Sequence, residues 1–131
     1  MKAYLRRRLR PDELLERIGE LEAEGRREEA LRLAAAYAAY EEEGESPVLV
    51  EEELPLEVAR RLLSNRIAEL ISYVKRVGGK SVSELARELG RSPSNVYADV
   101  AFLSRYNVIY LERQGRRVVA HPLAEEIRIE L

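Results

Sequence analysis

SVSELARELGRSPSNVYADVAFLSRYNVIYLERQGRRVVAHP, residues 81–122, is the stretch from which the rest of the chain is read. Ser81 and Glu84 stand three residues apart, so each side chain can bond the other's exposed backbone N–H and open a helix. Val82, Leu85, Ala86 and Leu89 then recur at helical spacing, and Gly90 supplies the left-handed conformation that ends a helix. Arg91-Ser92-Pro93 restarts it. Ser92 is a good N-cap, and proline at the first helical position gives up an N–H that has no intrahelical partner. Two short helices joined by a glycine turn are predicted, the order of a helix-turn-helix.

The second helix is expected over about Pro93 to Tyr106, with Val96, Val100 and Leu103 on its buried side. Ser94, Asn95, Tyr97, Ala98 and Arg105 are left facing outward. An asparagine amide bonds adenine bidentately, serine bonds bases or phosphate, and a helix N-terminus attracts phosphate. The plainer alternative is that these are ordinary solvated residues and Ser92 only caps. Asp99 reads as structural, because a carboxylate facing phosphate repels it.

After Asn107 the period changes to two, through Val108 to Arg113 and again through Arg116 to Ala120. A two-residue loop at Gln114-Gly115 predicts a hairpin that pairs Leu111 with Val118 and Glu112 with Arg117. Its tip gathers Arg113, Gln114, Arg116 and Arg117 in the place of a wing that lies over a DNA backbone.

These residues carry a resemblance. Ser83-Glu84-Leu85-Ala86 followed by Leu89-Gly90-Arg91, then Asn95-Val96 and Asp99-Val100 with Leu103, resembles the archaeal MarR-like winged-helix family of transcriptional regulators. The closing Ile127-Arg128-Ile129-Glu130-Leu131 resembles that family's C-terminal strand, and Val48 to Leu63 its approach segment. The resemblance implies a winged helix-turn-helix and DNA binding. This chain has Ala98 where the family pattern carries a basic residue, which transfers contact to Tyr97.

The composition bounds the alternatives. With 131 residues the chain has one domain's worth of sequence, and no apolar run or leader pattern suggests a membrane segment, so a cytoplasmic protein is expected. There is no cysteine, which removes thiolate chemistry and cysteine-based metal sites. His121 is the single histidine, and no nucleophile–base pair or glycine-rich phosphate loop accompanies it. No catalytic residue, metal or cofactor is expected. Three lysines against nineteen arginines, with 35% of residues charged, suit an ion-pair-rich thermophile protein. The net charge of −2 hides an asymmetry: residues 1–54 sum to −6 and residues 55–131 to +4. A basic half around the helix-turn-helix is what local phosphate binding requires.

Met1 to Arg10 is basic and reads equally as a strand, a helix start or an arm. Pro11 to about Glu24 and Arg26 to Glu43 are two predicted helices, ended by Gly25 and Gly44. The second has more apolar positions than one partner helix covers. Gly44-Glu45-Ser46-Pro47 reads as the linker. Val48-Leu49-Val50 is a short strand against Ile127–Ile129 in expectation, Leu56 to Leu63 a short helix, and Ser64 the cap of a longer one buried through Ile67, Leu70, Ile71 and Val74. Lys75, Arg76 and Lys80 cluster at its end, where the helix dipole or a phosphate accounts for them.

The combined expectation is a mainly α fold with a small β-wing, a winged helix-turn-helix (46–131) preceded by an N-terminal helical hairpin (1–45) that serves dimerisation or packing. Its function is sequence-specific binding of double-stranded DNA as a transcriptional regulator and homodimer. Ser94, Asn95 and Tyr97, with Ala98 beside them, face bases. Lys80, Ser81, Arg91, Ser92 and Arg105 hold phosphates, and Arg113, Gln114, Arg116 and Arg117 place the wing. The alternatives are a protein-interaction module or the antitoxin of a toxin–antitoxin pair.

Overall fold

The computed structural model describes residues 1–131. In chain order it contains β1 (Lys2–Arg8), α1 (Pro11–Ala23), α2 (Arg27–Glu43), β2 (Leu49–Leu54), α3 (Leu56–Leu62), α4 (Asn65–Val77), β3 (Lys80–Ser81), α5 (Val82–Leu89), α6 (Pro93–Arg105), β4 (Ile109–Gln114), β5 (Arg117–Pro122) and β6 (Ala124–Glu130). Two antiparallel three-stranded sheets form, ordered β2-β1-β6 and β3-β5-β4. With 54% of residues helical and 26% in strands, the fold is α+β, which corrects the expectation of a mainly α protein with a small wing.

The correction originates in β1. Ala3, Leu5 and Arg7 are buried and alternate with exposed or half-buried neighbours, the period of a strand with one covered face. Four arginines in ten residues hide that alternation in the sequence. β1 lies in the middle of its sheet, so β2 pairs with it, Leu5 opposite Glu52, and not with β6 as expected. β6 closes the other side, with Ile127 opposite Leu5, and a bulge falls between Arg6 and Arg7.

One apolar cluster holds these layers together. It takes Leu5 from β1, Leu62 from α3, Ile67, Leu70 and Val74 from α4, Leu85 from α5, Val96, Val100 and Leu103 from α6, and Ile109 from β4. Each such side chain contributes about 1.5–3 kcal/mol by leaving water. Leu14, Leu21, Ala30 and Ala36, the buried residues of α1 and α2, lie outside that cluster. The α1–α2 hairpin therefore has its own small core, and polar contacts fasten it to the rest.

Arg7 is the main fastener. Only 4% exposed, it bonds Glu13 of α1 at 2.7 Å and Glu52 of β2 at 2.9 Å. Burial alone would lower its pKa, but the two carboxylates outweigh burial and push it up. Asn107, in the left-handed region with φ 60, donates to Glu52 at 3.3 Å and accepts from Arg10 at 2.6 Å. At the other end, the Tyr40 and Tyr110 hydroxyls lie 3.3 Å apart, with Tyr110 stacked on His121.

Two local expectations also change. Ser64 occupies the N-cap of α4 without capping it, because its hydroxyl donates backwards to the Arg61 carbonyl at 2.7 Å. The hairpin turn is Gly115-Arg116, not Gln114-Gly115: Gln114 pairs with Arg117, Arg113 with Val118, Glu112 with Val119 and Leu111 with Ala120. Gly115 has φ 63 and Arg116 does not have a positive φ, the primed turn that places glycine first. Each partner moves by two residues, so every side chain keeps its face.

Candidate nucleic-acid interface

The α5–turn–α6 unit is built by its caps. The Ser81 hydroxyl accepts from the Glu84 N–H at 3.1 Å while the Glu84 carboxylate accepts from the Ser81 N–H at 3.2 Å. Gly90 ends α5 at φ 66, and the Ser92 hydroxyl then accepts the Asn95 N–H at 3.3 Å to start α6.

Arg66 of α4 sets how α6 is presented. Its guanidinium reaches the Asp99 carboxylate through Nε at 3.0 Å and Nη2 at 3.2 Å, and its backbone carbonyl accepts from Arg91 Nη1 at 3.2 Å. Arg91 also meets Glu69 at 3.3 Å. The two contacts tie both the turn and the middle of α6 to α4. Asp99 is 3% exposed and is the single acidic residue of α6, so the outward side of that helix carries no carboxylate. Ser94, Asn95, Tyr97, Ala98, Ala101 and Arg105 form that outward side, all exposed. Ala101 was not singled out from sequence, although its spacing from Ser94, Ala98 and Arg105 marks it.

The hairpin is pinned to the same unit. Arg117 bonds Glu84, and Lys80 lies 3.3 Å from Glu88 and 4.0 Å from Glu84. Ser81, the backbone of residue 81 and Arg117 together hold the Glu84 carboxyl down at about 2. Glu88 is lowered too, first by the Tyr73 hydroxyl.

The residues expected to touch nucleic acid therefore divide. Ser94, Asn95, Tyr97, Ala98 and Arg105 share one face. Arg113, Gln114 and Arg116 share the hairpin tip, and Arg113, Arg116 and Arg105 enter no salt bridge. The amide of Gln114 donates to Glu112. Ser81 is 5% exposed and spends its hydroxyl on the cap. Lys80, Arg91 and Arg117 are engaged by carboxylates, and Ser92 caps while remaining exposed. Arg87, exposed on α5 and without a salt bridge, is a further free cation of the helix-turn-helix with no local sequence signal to mark it.

His121 stacks on Tyr110 with ring centroids 4.7 Å apart and places Nε2 3.4 Å from Glu112. No group of three potential ligands is gathered for a metal ion, and no helix is long and apolar enough to cross a membrane.

No curated protein matches the chain. Residues 62–129 match the HVO_A0114 family, a span that runs from the end of α3 through the helix-turn-helix and hairpin to β6. Since that span is more than half of the sequence, the chain belongs to the HVO_A0114 family.

Proposed function

We propose that the protein binds double-stranded DNA in the cytoplasm as a sequence-selective transcriptional regulator, with α6 in the major groove and the β4–β5 tip on the backbone. One observation carries the reading: α6 turns its single carboxylate inward onto Arg66 and offers outward an amide, hydroxyls, a methyl-lined strip and Arg105. Asn95 is the base-reading residue, Ser94 and Tyr97 flank it, and Ala98 and Ala101 let the helix approach thymine methyls. Arg113 and Arg116 are the free cations for phosphate. The resemblance to MarR-like regulators and the basic balance of residues 55–131 support the same reading.

Selection of bound sequences from random duplex DNA, followed by affinity measured against salt, tests it. Replacing Arg113 and Arg116 with alanine lowers the salt slope by about two, at roughly 0.9 per phosphate contact. Asn95→Ala reduces discrimination at one adenine by about 1–3 kcal/mol without changing that slope. Absence of duplex binding at low salt would remove the proposal.

A second reading has one observation in its favour. Lys80, Arg91 and Arg117 are matched by carboxylates, so the surface is less basic than its composition promises, and Tyr97 stands 41% exposed among alanines. A protein partner, including a toxin held by this chain as antitoxin, suits such a face. Capture of that partner by wild type but not by Tyr97→Asp, with no duplex binding, would select it.

A further inference from the structure

We propose that the protein forms a twofold homodimer through the outward face of α2, with two copies antiparallel and Arg27 of each set against the closing carboxylates of the other. The inference does not depend on nucleic-acid binding.

The inward side of α2 is occupied by Ala30 and Ala36, with Leu33, Tyr37 and Tyr40 half-buried beside them. The opposite side repeats at helical spacing as Arg27, Leu31, Ala34 and Ala35, Ala38 and Glu42, all exposed. Leu31, 66% exposed in the second turn, stands beside three exposed alanines, so the face is apolar as a strip and not at one side chain alone. A groove lined by Glu22, Arg27, Ala30, Leu31 and Ala34 runs next to it between α1 and α2. Leu15, two turns before Glu22 on α1, is likewise 51% exposed.

This strip is complementary to itself when reversed. An antiparallel register sets Leu31 opposite the partner's Ala38, Ala34 opposite the partner's Ala35, and Arg27 opposite the partner's Glu42. Each contact then occurs twice about the axis, which is the condition for a closed twofold interface. The alanines permit helix axes to approach to about 8 Å.

Charge supplies an independent reason. Glu41, Glu42 and Glu43 crowd the C-terminal end of α2, where the helix dipole is negative and no basic residue occupies the last turn. None of the three enters a salt bridge, and neither does Arg27, while Glu28 and Arg32 answer one another at 3.9 Å. A reversed second copy brings a cation to each acidic end.

A 17-residue helix is about 25 Å long, so this contact falls at or below the smaller stable interfaces of about 1,200 Å².

Sedimentation equilibrium of the full chain, without DNA, from low to several hundred micromolar, tests the proposal. Wild type is expected to dimerise, and Leu31→Glu to stay monomeric with unchanged circular dichroism. Arg27→Glu and Glu42→Arg each weaken the dimer by about tenfold or more, since like charges then face each other. The double variant R27E/E42R restores it. Both single changes improve the match of α2 to its own dipole, so a lost dimer cannot be ascribed to a lost helix. Monomer at every concentration, a dimer that survives Leu31→Glu, or failure of the double variant to recover would each overturn the proposal and leave the DNA-binding reading standing.

Discussion

Removing either partner of the Arg66–Asp99 pair should have unequal effects, and the inequality can be worked from exposure alone. The Asp99 side chain is 4% exposed and the Arg66 side chain 59%. Arg66→Ala leaves a carboxylate buried against α4 with no other bonding partner, and stranding one member of a buried pair costs about 3 kcal/mol or more. Asp99→Ala leaves a guanidinium that water reaches, so two charge-assisted bonds are exchanged largely for hydration, at about 1 kcal/mol. For a chain of this size about 3–4 °C of melting temperature follows each kcal/mol, which separates the variants by roughly 6 °C or more. The double variant R66A/D99A should be more stable than Arg66→Ala alone, because it strands nothing. Urea unfolding followed by circular dichroism measures all four proteins. If Arg66→Ala is no worse than Asp99→Ala, or the double variant is the least stable of the four, desolvation of Asp99 is not what orients α6.

Three further outcomes follow from local geometry. Glu84 has its pKa lowered from 4.5 to about 2, chiefly by Ser81, so its contribution to stability is complete above pH 4.5 and is lost as pH falls toward 2. The stability difference between wild type and Glu84→Gln should therefore shrink across that window and stay constant above it, as chemical denaturation at several pH values would reveal. Ser92→Ala removes the hydroxyl that accepts the Asn95 N–H and should cost about 1 kcal/mol, with faster amide exchange confined to the first turn of α6; protection unchanged there would contradict the cap. Gly115→Ala meets no atom within 4 Å, so its cost is purely the left-handed backbone at φ +63, about 1–2 kcal/mol. Exchange should then quicken at the β4–β5 amides nearest the turn, and a neutral effect would mean that the turn is of another type.

Much of the candidate interface was legible because it is encoded by neighbours in the chain. Ser81 with Glu84, Gly90, and Ser92 with Pro93 are signals within four residues of one another, and the structure carries all of them. The apolar spacing of Val96, Val100 and Leu103 settles which side of α6 turns outward. The hairpin is legible in the sequence but its register is not, because glycine satisfies either central position of a two-residue turn and an opposite-charge pair of Glu112 with Arg117 looks favourable locally. Their partners are in fact Val119 and Gln114, and Arg117 finds Glu84 across the fold. Which cations are free could not be read at all. Lys80, Arg91 and Arg117 look identical in sequence to Arg105, Arg113 and Arg116, and only the placement of Glu69, Glu84 and Glu88 distinguishes them.

By itself the sequence determined the local pieces: where helices begin and end, that a two-stranded ribbon follows α6, and that one half is acidic and the other basic. Tertiary structure alone decided that Met1 to Arg10 supplies the central strand between β2 and β6, and that Asp99 and Arg7 are buried with partners from distant segments. The reason is physical. Caps and turns bond groups a few residues apart and are encoded where they act, whereas strand pairing and ion pairing join groups as far apart as Arg8 and Glu125, and those partners are chosen only when the whole chain has folded.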